Sequence, residues 1–314
     1  MDSAPRHNLL LWLHLASPLA AADEETLRVA VDCTSEELTV FIALKDTLAI
    51  EETSSDGWSH MQRRIAELYA VSASHSHKQQ PGTSHVAVDI VPLNFCAYSP
   101  DDMLPYKNSA TLLQSSDSML PEWWPSEMRT NTKSYCQQPG SPVSVCQSTR
   151  TPTPWKSFAH VAVGGTFDHL HVGHKILLTA TALAATKRIV CGISADALLE
   201  NKQYKEYLET YRTRELNVLL FLRKIRKNII VELVPIVDRY GPTITDSTIG
   251  ALVVSQETLP GSDALNVRRE ELGMPPMHLL PIDLVGASGQ TTNSADDMKI
   301  SSTAIRAALA EQHH

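Results

Sequence analysis

The stretch that most restricts what this chain can fold into runs from His160 to Leu183. An apolar run, His160-Val161-Ala162-Val163, leads into Gly164-Gly165-Thr166-Phe167-Asp168-His169-Leu170-His171-Val172-Gly173-His174-Lys175, and Ile176 to Leu183 follows with helical character and no breaker. This reads as strand, sharp turn and helix, the opening unit of a parallel α/β sheet. Gly164 and Gly165 let the backbone turn and approach a ligand closely. Gly173 falls at the start of the helix, where unpaired N–H groups and the positive end of the helix dipole favour a phosphate. His171 and His174, three residues apart, would point the same way from that first turn. Two imidazoles over an anion site suggest chemistry on a phosphate.

From Phe158 onward strand and helix signals alternate. Arg188 to Ile193, Asn228 to Val234, Ala251 to Ser255 and Met277 to Ile282 read as further strands, with a helix from about Tyr211 to Arg226. The order implies a doubly wound parallel sheet of five strands, with ligands at the carboxyl ends of the strands. Past the second strand stand Lys202 and, three residues on, Lys205, either of which could meet a phosphate as a mobile point charge. Past the fourth come Val254-Ser255-Gln256-Glu257-Thr258 and Asn266-Val267-Arg268-Arg269. A guanidinium there would suit a phosphate clamp, although Arg268-Arg269-Glu270-Glu271 also fits a charged helix face. A polar run from Gly286 to Lys299 reads as a loop, and Ile300-Ser301-Ser302-Thr303-Ala304-Ile305-Arg306 opens a last helix with consecutive hydroxyls that can cap it and donate to phosphate oxygens.

Gly-x-Phe-Asp followed by His-x-Gly-His resembles the signature of the nucleotidyltransferase superfamily, and the wider match through Lys175 is similar to the eukaryotic and archaeal branch of phosphopantetheine adenylyltransferase. Ile-Ser-Ser-Thr-x-Ile-Arg resembles that family's second signature, and Tyr211-Arg212-Thr213-Arg214 its Tyr-x-x-Arg element. The resemblance covers roughly Phe158 to Ala310. It implies a Rossmann-like nucleotidyltransferase fold and adenylyl transfer from ATP, accompanied by Mg²⁺, to 4′-phosphopantetheine, giving dephospho-coenzyme A and pyrophosphate. On this resemblance His174, Lys202 and Arg269 would be catalytic, and Gly165, Thr166, Phe167, His171, Ser301, Ser302 and Thr303 would bind substrate. Arg214 would be structural or peripheral to the nucleotide.

The rest of the chain sets limits. Its 314 residues allow two domains. The residues before Phe158 carry 11 basic and 18 acidic side chains and the remainder 16 and 17, so neither half has the basic excess of a nucleic-acid binder. Five cysteines without a C-x-x-C pair suggest reduced thiols, Cys191 a buried strand residue, and no structural metal. Leu9-Leu10-Leu11-Trp12-Leu13 and the later Ala20-Ala21-Ala22 imitate a secretory signal, but Asp2 offsets Arg6, His14 interrupts, and the run is too short to span a bilayer; a cytoplasmic chain is the expectation.

Residues 1–97 read as a small α/β extension of unknown role. Leu27 to Val31, Leu38 to Leu44 and Val86 to Val91 are expected strands, Trp58 to Val71 an expected helix, and Ser72 to Thr83, with His75 and His77, a loop. Residues 98–157, rich in Ser, Thr, Pro and Gln, read as a linker onto which Trp123-Trp124 could fold back, leaving 158–314 as the catalytic domain.

No Gly-x-x-x-x-Gly-Lys-Ser/Thr run is present, so the following step, a dephospho-coenzyme A kinase, is expected of a separate protein. The rival readings are a cytidylyltransferase acting on a phospho-alcohol and a catalytically idle scaffold on the same fold. Against the first, Asp296-Asp297-Met298-Lys299 stands where those relatives usually carry Arg-Thr-x-Gly.

Overall fold

The computed structural model describes residues 6–15, 21–44, 64–72, 87–92, 96–106, 110–115, 124–129, 132–136, 157–256, 258–282 and 301–312. The chain forms two compact units, Met1–Trp155 and Lys156–His314. Among the described residues no helix is long and apolar enough to cross a membrane.

The first unit is a parallel sheet in the order β3-β2-β1-β4-β5, built from β1 (Arg6–Leu15), β2 (Thr34–Leu44), β3 (Ala87–Pro92), β4 (Ala110–Ser115) and β5 (Thr132–Cys136). Its helices are α1 (Ala21–Asp32), α2 (64–72) and α3 (Ser126–Arg129), with a 3₁₀ helix over Pro100–Tyr106. The signal-like Leu9 to Leu13 run lies in the central strand, where Leu10 and Leu11 are buried. Strands covered on both faces read as continuous apolar runs, which explains the imitation.

Two expectations change here. Leu27 to Val31 is helix, not strand: Leu27, Ala30 and Val31 stand at i, i+3 and i+4 and are all fully buried on one face of α1. The 98–157 segment is not a plain linker, because β4 and β5 both arise within it and Trp124 is buried at 2% exposure. The His75/His77 loop and the 286–299 run lie outside the described residues.

The second unit is also a five-stranded parallel sheet, in the order β10-β9-β6-β7-β8, made of β6 (Phe158–Gly165), β7 (Ala185–Ser194), β8 (Ile230–Ile236), β9 (Ala251–Ser255) and β10 (His278–Ile282). Helices α4 (Val172–Ala184), α5 (Tyr211–Ile225), α6 (Leu259–Glu271) and α7 (Ser302–Gln312) accompany it. This is the doubly wound α/β arrangement expected from the sequence. Cys191 is buried in β7. Pro235 and Pro281 sit in the two edge strands, where a missing N–H costs no ladder bond. The chain reverses direction across the sheet between β6 and β9, and a crevice at their carboxyl ends is the standard place for a ligand in such a sheet.

Candidate active site

The turn after β6 carries the first signature, and its backbone is unusual. Phe167 and His169 adopt φ of 53° and 46°, the left-handed region that side chains avoid. A Cβ on Gly165 would lie 3.1 to 3.3 Å from three atoms of the Phe167 ring, so glycine there is what lets the ring fold back and bury completely.

Asp168, between the two left-handed residues, is a hub. One carboxylate oxygen accepts the Glu209 N–H at 2.9 Å, and the other pairs with Arg306 of α7 at 2.5 Å. Both charged side chains are buried, Asp168 at 0% and Arg306 at 2% exposure. The Ser302 hydroxyl donates to the Asp168 carbonyl at 2.8 Å. Two signatures more than a hundred residues apart therefore meet at one residue. Arg306 also donates to the Gln203 carbonyl at 3.0 Å and to the Thr303 hydroxyl at 3.1 Å, which fixes the loop bearing Lys202 beside α7.

His171 caps α4 without a side-chain capping bond, and its ring stacks on that of His174, with centroids 3.9 Å apart and planes at 25°. His174 in turn leans on Phe167 at 5.3 Å. Burial pushes the His171 pKa down to about 4, against a partial lift from Asp168, and the His174 pKa to about 3, with the neighbouring ring adding to the effect. Both rings are neutral at pH 7. Their Nδ1 atoms are buried without a hydrogen-bond partner.

Beside this cluster a cleft of about 470 Å³ opens at the carboxyl ends of β6 and β9. Gly164, Gly165, Leu177, Arg239, Tyr240, Ser255, Thr258 and Ser262 are among its walls. Arg239 and Tyr240 lie in a turn after β8, held because Asp238 accepts the N–H groups of Tyr240 and Gly241 at 2.8 and 2.7 Å, which keeps its carboxyl below the usual range.

Of the residues expected from the sequence, Gly165, Thr166, Phe167, His171 and His174 gather in the β6–α4 turn, and Ser301, Ser302 and Thr303 open α7 against it. Ser301 is the helix cap, its hydroxyl accepting the Ala304 N–H at 3.2 Å. Lys202 and Lys205 are both exposed. Arg269 is the exception. It is fully buried, and its guanidinium is engaged by four carbonyls: Pro275 at 2.8 Å, Thr243, Asp246 at 3.4 Å and Ile249 at 3.4 Å. It binds α6 to the segment before β9 and is turned away from solvent, with four of its five N–H donors directed at carbonyls. Arg214 is likewise buried, joining the ends of β6 and β7 through the carbonyls of Thr166 and Ser194 at 2.8 and 2.9 Å. Sequence reasoning quoted Asp168 and Arg306 only as letters of the two signatures; an acid in one and a base in the other was the available sign that they pair.

Comparison with known proteins matches residues 162–308 to a family model described as cytidylyltransferase-like. Relatives include an uncharacterized protein of Schizosaccharomyces pombe, 47% identical over 152 residues, covering 48% of each chain. A phosphopantetheine adenylyltransferase of Saccharomyces cerevisiae is 40% identical over 166 residues, 53% of each chain. One of Methanopyrus kandleri is 36% identical over 159 residues, which is 51% of this chain and 96% of that protein. The match thus spans about half the length of the two yeast relatives and nearly all of the archaeal one.

Proposed function

Through its second unit this chain belongs to the phosphopantetheine adenylyltransferase family, and from that membership we propose that it transfers the adenylyl group of ATP to 4′-phosphopantetheine, releasing pyrophosphate and giving dephospho-coenzyme A. The observation that carries the reading is the meeting of the two signatures at Asp168, through Ser302 and Arg306.

The acceptor brings its own nucleophile. An oxygen of its phosphate bonds to the α-phosphorus of ATP, the bond from that phosphorus to the bridging oxygen breaks, and pyrophosphate leaves with the electron pair. No side chain is covalently modified. Catalysis then rests on positioning and on fixed donors around the crowded phosphorus. Thr166 is assigned to the acceptor phosphate. His171 and His174, neutral and stacked, offer N–H donors to the transferred phosphoryl oxygens, and Lys202 supplies mobile positive charge. The hydroxyls of Ser301, Ser302 and Thr303 have capacity beyond their internal bonds and are assigned to the β- and γ-phosphates. The role first expected of Arg269 is not retained, since carbonyls occupy it. The cleft beside the first signature, with apolar walls and a few hydroxyls, is assigned to the nucleotide.

Mg²⁺ is proposed to arrive on the triphosphate. Among the described residues no group of three or more His, Cys, Asp or Glu is placed to hold a metal ion, and imidazoles, hydroxyls and a lysine suit phosphate oxygens better than Mg²⁺. A separate dephospho-coenzyme A kinase as the next enzyme and a cytoplasmic location are part of the same proposal.

The test mixes the purified chain with ATP, Mg²⁺ and 4′-phosphopantetheine and looks for dephospho-coenzyme A by mass spectrometry. Product from CTP with phosphocholine, phosphoethanolamine or glycerol 3-phosphate, and none from ATP, would favour the cytidylyltransferase reading instead. Unchanged pyrophosphate release in His174→Ala would remove the assigned role of that ring.

A further inference from the structure

The two units repeat one plan. The first runs β1, α1, β2, α2, β3, 3₁₀ helix, β4, α3, β5, with sheet order β3-β2-β1-β4-β5. The second runs β6, α4, β7, two short 3₁₀ helices (Asp196–Leu198 and Lys205–Tyr207), α5, β8, 3₁₀ helix Gly241–Ile244, β9, α6, β10 and the additional α7, and its sheet read from the other edge is β8-β7-β6-β9-β10. Counted within each unit, the strand orders are identical, and in both a 3₁₀ helix precedes the fourth strand. Even the span between first strand and first helix is alike: five residues, Ala16 to Ala20, against six, Thr166 to His171.

The chemistry is not repeated. Ala16-Ser17-Pro18-Leu19-Ala20 contains neither glycine nor histidine, and no second Ile-Ser-Ser-Thr-x-Ile-Arg string exists in the chain. Among the described residues the corresponding space is filled differently. Three residues before the end of β6, Ala162 pairs with Val190; Ala162 lines the cleft and Val190 belongs to the core beneath it. At the same register in the first unit, Trp12 pairs with Phe41. The fully buried Phe41 ring meets Tyr98, Tyr106 and Trp124 edge-on, with centroids 5.5, 6.0 and 5.8 Å away and planes at 80° to 87°. These three rings come from where the second unit builds its cleft walls. Tyr98 precedes its 3₁₀ helix as the cleft residue Tyr240 precedes the other, Tyr106 ends that helix, and Trp124 precedes α3 as the cleft residue Thr258 precedes α6. Edge-to-face rings at these separations are a favourable packed arrangement, not an open site.

We infer that residues 1–155 are a second copy of the nucleotidyltransferase fold, catalytically idle, in which an aromatic cluster fills the place of the ligand cleft, so that the chain binds nucleotide in its second unit alone. Shared topology by itself does not confer a shared site, and here the site residues differ at each point where the chemistry would be carried. The inference rests on the second unit's cleft being the nucleotide site.

Two measurements on the full chain test it: isothermal titration with Mg·ATP, and photolabelling with 8-azido-ATP followed by peptide mapping. The expected result is one ATP per chain and label confined to residues 156–314. A stoichiometry near two, or label within 1–155 that excess ATP competes away, overturns the inference while leaving the proposed function standing. No binding at all overturns the proposed function and this division of roles with it.

Discussion

Replacing Arg306 with Met removes the cation that the buried Asp168 carboxylate faces and leaves the rest of α7 in place. Asp168 is wholly out of solvent and Arg306 nearly so. Deleting one member of such a pair strands the other, at a cost of about 3–5 kcal/mol. For a unit of this size each kcal/mol moves the melting temperature by roughly 2–4 °C, so a drop on the order of 6–20 °C is expected for the second unit. Activity should fall for a separate reason. Arg306 also holds the Gln203 carbonyl and the Thr303 hydroxyl, so its loss frees the lysine loop and the hydroxyl string together. Misplacement by about 1 Å at such a site can cost about 10²-fold in rate. The assay is a thermal melt by far-UV circular dichroism with steady-state kinetics well below the melt, on Arg306→Met, Asp168→Asn and the double variant. The double variant, with no stranded charge, should regain part of the stability and little of the activity. A coupling energy under about 0.5 kcal/mol, the size of error between independent sites, would refute the hub.

The stacked imidazoles give a pH prediction. With folded pKa values of about 4 and about 3 against the ordinary imidazole value of 6.5, the unfolded chain binds more protons than the folded one below about pH 6.5. Stability is therefore full above that pH and declines as pH falls toward 4; imidazole NMR resonances of His171 and His174 titrating near 6.5 in the folded protein would count against it. Arg269→Gln should cost about 1–3 kcal/mol through unmet buried carbonyls while leaving kcat at low temperature within about threefold, and a kcat loss of a thousandfold with an unchanged melt would return Arg269 to the phosphate. Lys202→Ala should lower kcat/KM by about 10²-fold or more, as removal of one transition-state donor does, and Lys205→Ala by much less; kinetics showing the reverse order would reassign the phosphate lysine.

The second sheet was legible because its strands are short apolar runs bounded by turn residues, and the site because its donors cluster in two fixed strings. What sequence could not supply was direction. Arg269 follows a strand's carboxyl end as a phosphate clamp would, yet its long side chain turns back to carbonyls of the segment before β9. Leu27-Arg28-Val29-Ala30-Val31 looks like a strand by composition, but the buried positions keep the helical period. The polar strand β5, Thr132-Lys133-Ser134-Tyr135-Cys136, lies at a sheet edge, where one flank has no partner strand and the hydrophobic pattern is weak. Edge strands of this kind are identified by their neighbours, which a local reading does not see.

The strained turn and the hub explain each other. Two non-glycine residues in the left-handed region cost on the order of 1–3 kcal/mol each and persist only where the surroundings over-determine them. Here the Phe167 ring is locked over Gly165, the His169 N–H is held by the Glu209 carboxylate at 2.7 Å, and the His169 ring contacts the Tyr207 carbonyl at 2.8 Å. Between them the backbone is bent so that Asp168 offers its carbonyl to Ser302 and its carboxylate to Arg306. A relaxed, extended turn would send those two acceptors in different directions, and α7 would lose one of its two bonds to Asp168. The strain therefore does structural work for the chemistry. It converts a local signature into the mount for a distant one, and under the proposed function the imidazoles and the hydroxyls would then meet a triphosphate on one shared frame, with little reorganisation left for the reaction step.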